Sequence, residues 1–184
     1  NNRRWSRSLL KAIVDFNNEK NQSEHKNWTP DFRINENLKK NFNSKVLVRY
    51  TDGNSCLFNA RIRLTGDLWW HLDWKNGAPI SSISVRLLNG HINNITRFKL
   101  LLPKSRYGSN EIFSALLLRE MGYLSPRTFF VNSKLNGAKV KYIFQEDLRK
   151  EFLENLNYRE GPILEGDERF TIMSPENKKK PKIN

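Results

Sequence analysis

Several stretches between Lys45 and Gln145 of this 184-residue chain alternate apolar and polar residues with a period of two, and that period most narrows what it can fold into. Successive side chains of a strand point to opposite faces, so such alternation means half-buried strands. Val46, Leu47, Val48 and Tyr50 lead into Asp52-Gly53-Asn54, a hairpin signal, and the return strand runs from Leu57 to Leu64. On that strand Phe58, Ala60, Ile62 and Leu64 share one face, while Arg61 and Arg63 share the other. Ser82 to Leu88 repeats the pattern, with Ile83, Val85 and Leu87 opposed to Ser84 and Arg86. Gly90 predicts a turn, and Phe98, Leu100 and Leu102 give a further strand face that Pro103 ends. Thr128 to Leu135 and Ala138 to Gln145 are strands joined by Asn136-Gly137.

Helical spacing occurs in fewer places. Trp5, Leu9, Ile13 and Phe16 predict a short amphipathic helix, followed by a polar loop from Asn17 to Asn27. Trp28 to Asn43 has no clear period and is punctuated by Pro30. Ser109 can cap a helix from Asn110 to Met121, with Gly122 in the position of a terminating glycine. Its apolar residues, Ile112, Phe113, Leu116, Leu117 and Met121, exceed one narrow stripe, which predicts a largely buried helix. Leu148, Phe152 and Leu156 mark a last helix. This order predicts an α+β fold: a mostly antiparallel sheet with one largely buried helix. Three parts follow: residues 1–44, a helix and polar connecting segment; 45–168, the sheet domain; and 169–184, a basic tail or the start of a further region.

The formal net charge is +13. A basic surface favours phosphate-bearing partners, although compositional drift toward Asn and Lys explains the excess equally well. Basic residues are spread from Arg3 to Lys182 rather than gathered in one stripe, which weakens a nucleic-acid reading. The single cysteine, Cys56, excludes an intrachain disulfide or a cysteine-based zinc cluster and reads as a buried structural thiol. No apolar run is long enough to span a membrane. Both ends read as cut or processed; a leader or anchor upstream of Asn1 would make the protein secreted or cell-surface.

Neither a P-loop nor a protein-kinase glycine loop is present. His25, His71 and His91 are isolated and lack metal-ligand spacing. Glu165, Asp167 and Glu168 form an acidic knot, which reads as a metal site or, more simply, a solvated turn. What remains is a set of arginines. If the strands are neighbours, Arg61, Arg63 and Arg86 share one side of the sheet. Guanidinium donors match phosphate oxygens bidentately, but an exposed sheet face also carries ordinary arginines. Glu111, in the first turn of the Asn110 helix, suits the helix dipole or could hold a cation against phosphate.

Several segments together resemble the CotH (spore-coat protein H) family of atypical kinases. Arg61-Ile-Arg-Leu-Thr-Gly-Asp67 looks like its "RxRxxGD" strand and turn, with His71 shortly after. Ser82 to Leu88 resembles the strand bearing a basic residue, and Arg97 to Arg106 its "F-x-L-x-x-P-x-x-R" segment. Asn110-Glu111, Arg119 to Gly122, Pro126-Arg127, the Asn136-Gly137 hairpin, Glu146 with Lys150 to Leu153, Gly161 to Ile163 and Asp167-Glu168 follow in the family's order. The resemblance covers roughly Ala60 to Glu168. It implies the nucleotide-binding half, or N-lobe, of a kinase-like fold that binds ATP with Mg2+ and transfers phosphate to protein. It implies Arg86 as the phosphate-contacting residue with Arg61 and Arg63 beside it, Glu111 as its helix partner, Gly66 and Asp67 as the turn over the phosphates, and Glu146 at the hinge by the adenine. The chain departs from the family at Leu68-Trp69-Trp70, where a small or polar run is usual, and at Ala138 to Lys141, which lacks a usual glycine. The resemblance places the catalytic and magnesium-binding aspartates in a second lobe; nothing after Glu168 supplies them, so no turnover is expected of this chain. Two other readings stay open: a non-catalytic relative in a surface or coat assembly, and a basic nucleic-acid-binding module using Trp5, Trp28, Trp69, Trp70 and Trp74.

Overall fold

The structure is a computed structural model that describes residues 2–23 and 33–163. Helix α1 (Asn2–Ser23) is followed by strands β1 (Phe42–Arg49), β2 (Ser55–Leu64), β3 (Leu72–Lys75), β4 (Ala78–Ser81), β5 (Ile83–Leu87) and β6 (Arg97–Leu101). Helix α2 (Asn110–Glu120), strands β7 (Thr128–Leu135) and β8 (Ala138–Glu146) and the short helix α3 (Lys150–Asn155) complete the order. The fold is α+β, and its six-stranded sheet has the order β1-β2-β5-β6-β8-β7 with every neighbouring pair antiparallel. β3 and β4 form a separate two-stranded ribbon.

The alternation read from the sequence sets which face of the sheet is buried. Phe58, Ala60, Ile62 and Leu64 of β2, Ile83, Val85 and Leu87 of β5, Phe98 of β6 and Phe144 of β8 form one apolar cluster. Trp5, Leu9 and Ala12 of α1 belong to the same cluster, and Trp5 meets Phe42 of β1 edge to face at 5.6 Å. α1 therefore helps to build the core of the sheet that follows. Its helix also runs on through the polar stretch expected to be a loop, as far as Ser23.

Two turns act as punctuation. Asn136 and Gly137 both take positive φ, as a two-residue hairpin between β7 and β8 requires. Asn76 and Gly77 do the same between β3 and β4.

α2 is not largely buried. Among its residues only Ala115 is, while Phe113 is 66% exposed and Leu116, Leu117 and Leu118 are also exposed. An apolar-all-round helix needs cover on more than one side, and among the described residues β7 supplies its main neighbour. Gly122, at φ +81°, ends this helix in a Schellman arrangement: its N–H donates to the Arg119 carbonyl and that of Tyr123 to the Leu118 carbonyl. Ser109 stands at the N-terminal boundary, but its side chain makes no capping bond.

Cys56 is exposed, contrary to its reading as a buried thiol. It continues the core-facing side of β2 beyond Phe58, where burial begins, so the residue is in the right phase but past the edge of the core. Among the described residues, no helix is long and apolar enough to cross a membrane.

Candidate functional site

The face of the sheet opposite the α1 core is polar, and the register concentrates cations on it. Arg61 of β2 stands directly opposite Arg86 of β5, and Arg86 directly opposite Arg97 of β6. Two residues along, Arg63, Ser84 and Lys99 form a second row across the same strands. The backbone N–H of Asp147 donates to the Arg97 carbonyl at 3.1 Å and extends the first row by one strand.

These rows floor a cavity of about 570 Å³, lined also by Asn41, Thr65, Leu148, Arg149 and Ile163. Among the described residues, Asp147 is the only acid in the lining. It accepts a bond from Arg149 at 3.1 Å and lies 3.9 Å from Lys99. Among the described residues, the side chains of Arg61, Arg63, Arg86 and Arg97 have no ion pair within 4.0 Å. Like charges directly opposite on adjacent strands are unfavourable, so this arrangement opposes folding and favours an anion between them.

The residues assigned a site role from the sequence divide into three groups. Arg61, Arg63 and Arg86 are brought together in the cavity. Glu111 lies over the same face of the sheet, beyond the second row: Gln145, the cross-strand partner of Lys99, donates to its carboxylate at 2.6 Å. It makes no ion pair with Arg86 among the described residues.

Gly66, Asp67 and Glu146 are placed elsewhere. Gly66, at φ +86°, packs so closely on His71 that a Cβ there would overlap the imidazole. Asp67 accepts a bond from Lys39 at 2.6 Å, and that bond holds its carboxyl below the usual range. Burial, reinforced by Arg106, pushes His71 down to about 4, which keeps its ring neutral. Glu146 pairs with Phe98 and shares its core-side face, opposite to Lys99 and Gln145. It is 3% exposed, and both its oxygens accept from Arg127, at 2.7 and 2.9 Å. This bidentate bond raises the pKa of Arg127. The acidic knot at Glu165, Asp167 and Glu168 lies outside the described residues.

Four cleft residues escaped the sequence reading: Arg97, Lys99, Asp147 and Arg149. Arg97 and Lys99 flank Phe98 with the same period that marks Arg61 and Arg63, and this could have found them. Asp147 and Arg149 follow the end of β8 and carry no local signal.

The donor set suits phosphate: five guanidiniums and one ammonium face the cavity. No group of three or more His, Cys, Asp or Glu among the described residues could hold an ion. Comparison with protein-family models, curated proteins and solved structures finds no match to this chain.

Proposed function

We propose that this chain is the nucleotide-binding half of an atypical kinase of the CotH type, with the phosphates of ATP held over β2, β5 and β6. The observation that carries this reading is the unbroken row Arg61, Arg86 and Arg97 across three adjacent strands. Such a row is unfavourable when empty and becomes favourable once an anion lies over it. The segments resembling the family supply the identity of the anion.

Magnesium would arrive with the nucleotide phosphates, since Mg2+ is commonly held by substrate oxygens plus one or two carboxylates. Asp147 is the cleft carboxylate within reach of that role. Phosphoryl transfer needs metal-bound carboxylates and a carboxylate that orients the nucleophile. This chain would therefore bind the nucleotide, and turnover would need carboxylates beyond Asp147.

A second reading, a non-catalytic relative in a surface or coat assembly, is favoured by Asp147, the one acid of the cleft among the described residues, being already held by Arg149. A nucleic-acid module gains less support. Trp5 is buried and Trp69 stacks on Phe16 at 5.3 Å, so neither ring is free to stack on a base.

Calorimetric titration of the chain with Mg·ATP tests the proposal. Binding by the parent chain that Arg86→Ala removes, with folding intact, supports it. No heat of binding from a folded parent chain rejects it.

A further inference from the structure

We infer that the cleft selects its ligand by a chain of phosphates alone, so that linear triphosphates bind alike whatever base they carry, or without one. The inference rests on the reading of the arginine rows as a phosphate site and adds what that site distinguishes.

The lining is the first support. Among the described residues, Arg61, Arg63, Arg86, Arg97, Lys99 and Arg149 face the cavity, against two apolar side chains, Leu148 and Ile163, and no aromatic ring. A base needs a slot with apolar faces and a few polar groups to read its edge. Among the described residues, the lining sets two aliphatic side chains and the polar Asn41, Thr65 and Ser84 against six cations, a makeup that suits phosphate more than a base.

The backbone is the second support. A base could be read by main-chain donors where β8 ends, but both candidates are already used. The N–H of Glu146 donates to the Arg127 carbonyl at 3.0 Å and that of Asp147 to the Arg97 carbonyl at 3.1 Å. The Glu146 carboxylate is held by Arg127 on the far side of the sheet. Phe144 of this strand stacks on Phe98 and on Phe129, each at 4.7 Å, on the core side rather than in the cleft.

The spread of charge is the third. Strands lie about 4.8 Å apart, so the row from Arg61 to Arg97 spans roughly 10 Å, and the second row lies roughly 7 Å along the strands. A single phosphate reaches only part of that patch. An extended anion with several charged groups reaches all of it, and Ser84 contributes a hydroxyl between Arg63 and Lys99.

Titration of the 184-residue chain with ATP, GTP, inorganic tripolyphosphate, AMP and adenosine tests this, with Arg86→Ala and Arg63→Ala as controls whose melting is checked. The expected result is dissociation constants for ATP, GTP and tripolyphosphate within about threefold of one another, AMP weaker by at least about 30-fold, and no binding of adenosine. ATP binding at least about tenfold tighter than GTP and tripolyphosphate, and lost in Arg86→Ala, overturns base-blind selection while leaving the phosphate site standing. Failure of every triphosphate to bind, with or without binding of a single-stranded oligonucleotide, overturns both.

Discussion

Arg86 stands directly opposite Arg61 in the β2–β5 ladder, with both side chains on the cleft face. Cross-strand pairs of like charge oppose sheet formation by roughly 0.2–1 kcal/mol, and Arg86 has a second such partner in Arg97. Arg86→Ala should therefore raise the melting temperature of the ligand-free chain by about 1–3 °C. Thermal unfolding at low salt measures this, and the gain should shrink at high salt as the charges are screened. A marked fall in melting temperature would instead make Arg86 part of the framework.

The Arg127–Glu146 pair behaves in the opposite way. Arg127→Ala strands a carboxylate that is 3% exposed, and breaking one side of a buried pair costs about 3–5 kcal/mol. Replacing both partners together, Arg127→Met with Glu146→Leu, should recover most of that loss. Chemical denaturation of the three variants decides it. If Arg127→Ala costs less than about 1 kcal/mol, the pair is not structural.

Gly66 and His71 should be energetically coupled. Gly66→Ala places a methyl group on the imidazole and strains a backbone held at φ +86°. It should destabilise by about 2 kcal/mol or more. In a His71→Ala background the clash disappears and only the backbone term remains. The double-mutant cycle should return a coupling of about 1–3 kcal/mol. Additive effects would remove the contact from the account.

Acid should loosen the fold in two stages. His71 has its pKa depressed from 6.5 to about 4, so between these values the unfolded chain binds a proton that the folded chain refuses. Stability is then full above pH 6.5 and falls as pH drops toward 4, by up to roughly 3 kcal/mol. Asp67, lowered from 3.8 chiefly by its bond from Lys39, adds a loss only as pH falls below 3.8. Urea midpoints from pH 7 to 4 should decline in the parent chain and stay flatter in His71→Phe. Equal slopes would mean that another group carries the dependence.

Period-two alternation made the strands of the sheet legible, and it also held the phase of the cleft: Arg61, Arg63 and Arg86 were placed on the polar side by counting alone. What local pattern does not carry is register. That Arg61, Arg86 and Arg97 fall in one row depends on how β2, β5 and β6 align, and the β3–β4 ribbon intervenes between β2 and β5. Glu146 was within reach of the same counting, since two residues from Phe144 is the core side of β8. Family resemblance pointed it toward the adenine, whereas the strand phase points it at Arg127. Asn76-Gly77 carries the same turn signal as Asn136-Gly137, but strands of four residues are too short for alternation to announce. The burial expected of α2 fails for a different reason: apolar content states a need for cover and does not supply it.

Side-chain Nε–Hε resonances of the arginines report directly which side chains meet the phosphates. Titrating ATP into labelled chain should shift the signals of Arg61, Arg86 and Arg97 together, saturably, while Arg3, Arg4 and Arg7 on α1 stay in place. Those three shifts should vanish in Arg63→Ala and in chain saturated with tripolyphosphate. Shifts confined to the α1 arginines, or no shifts at millimolar ATP, would contradict the account.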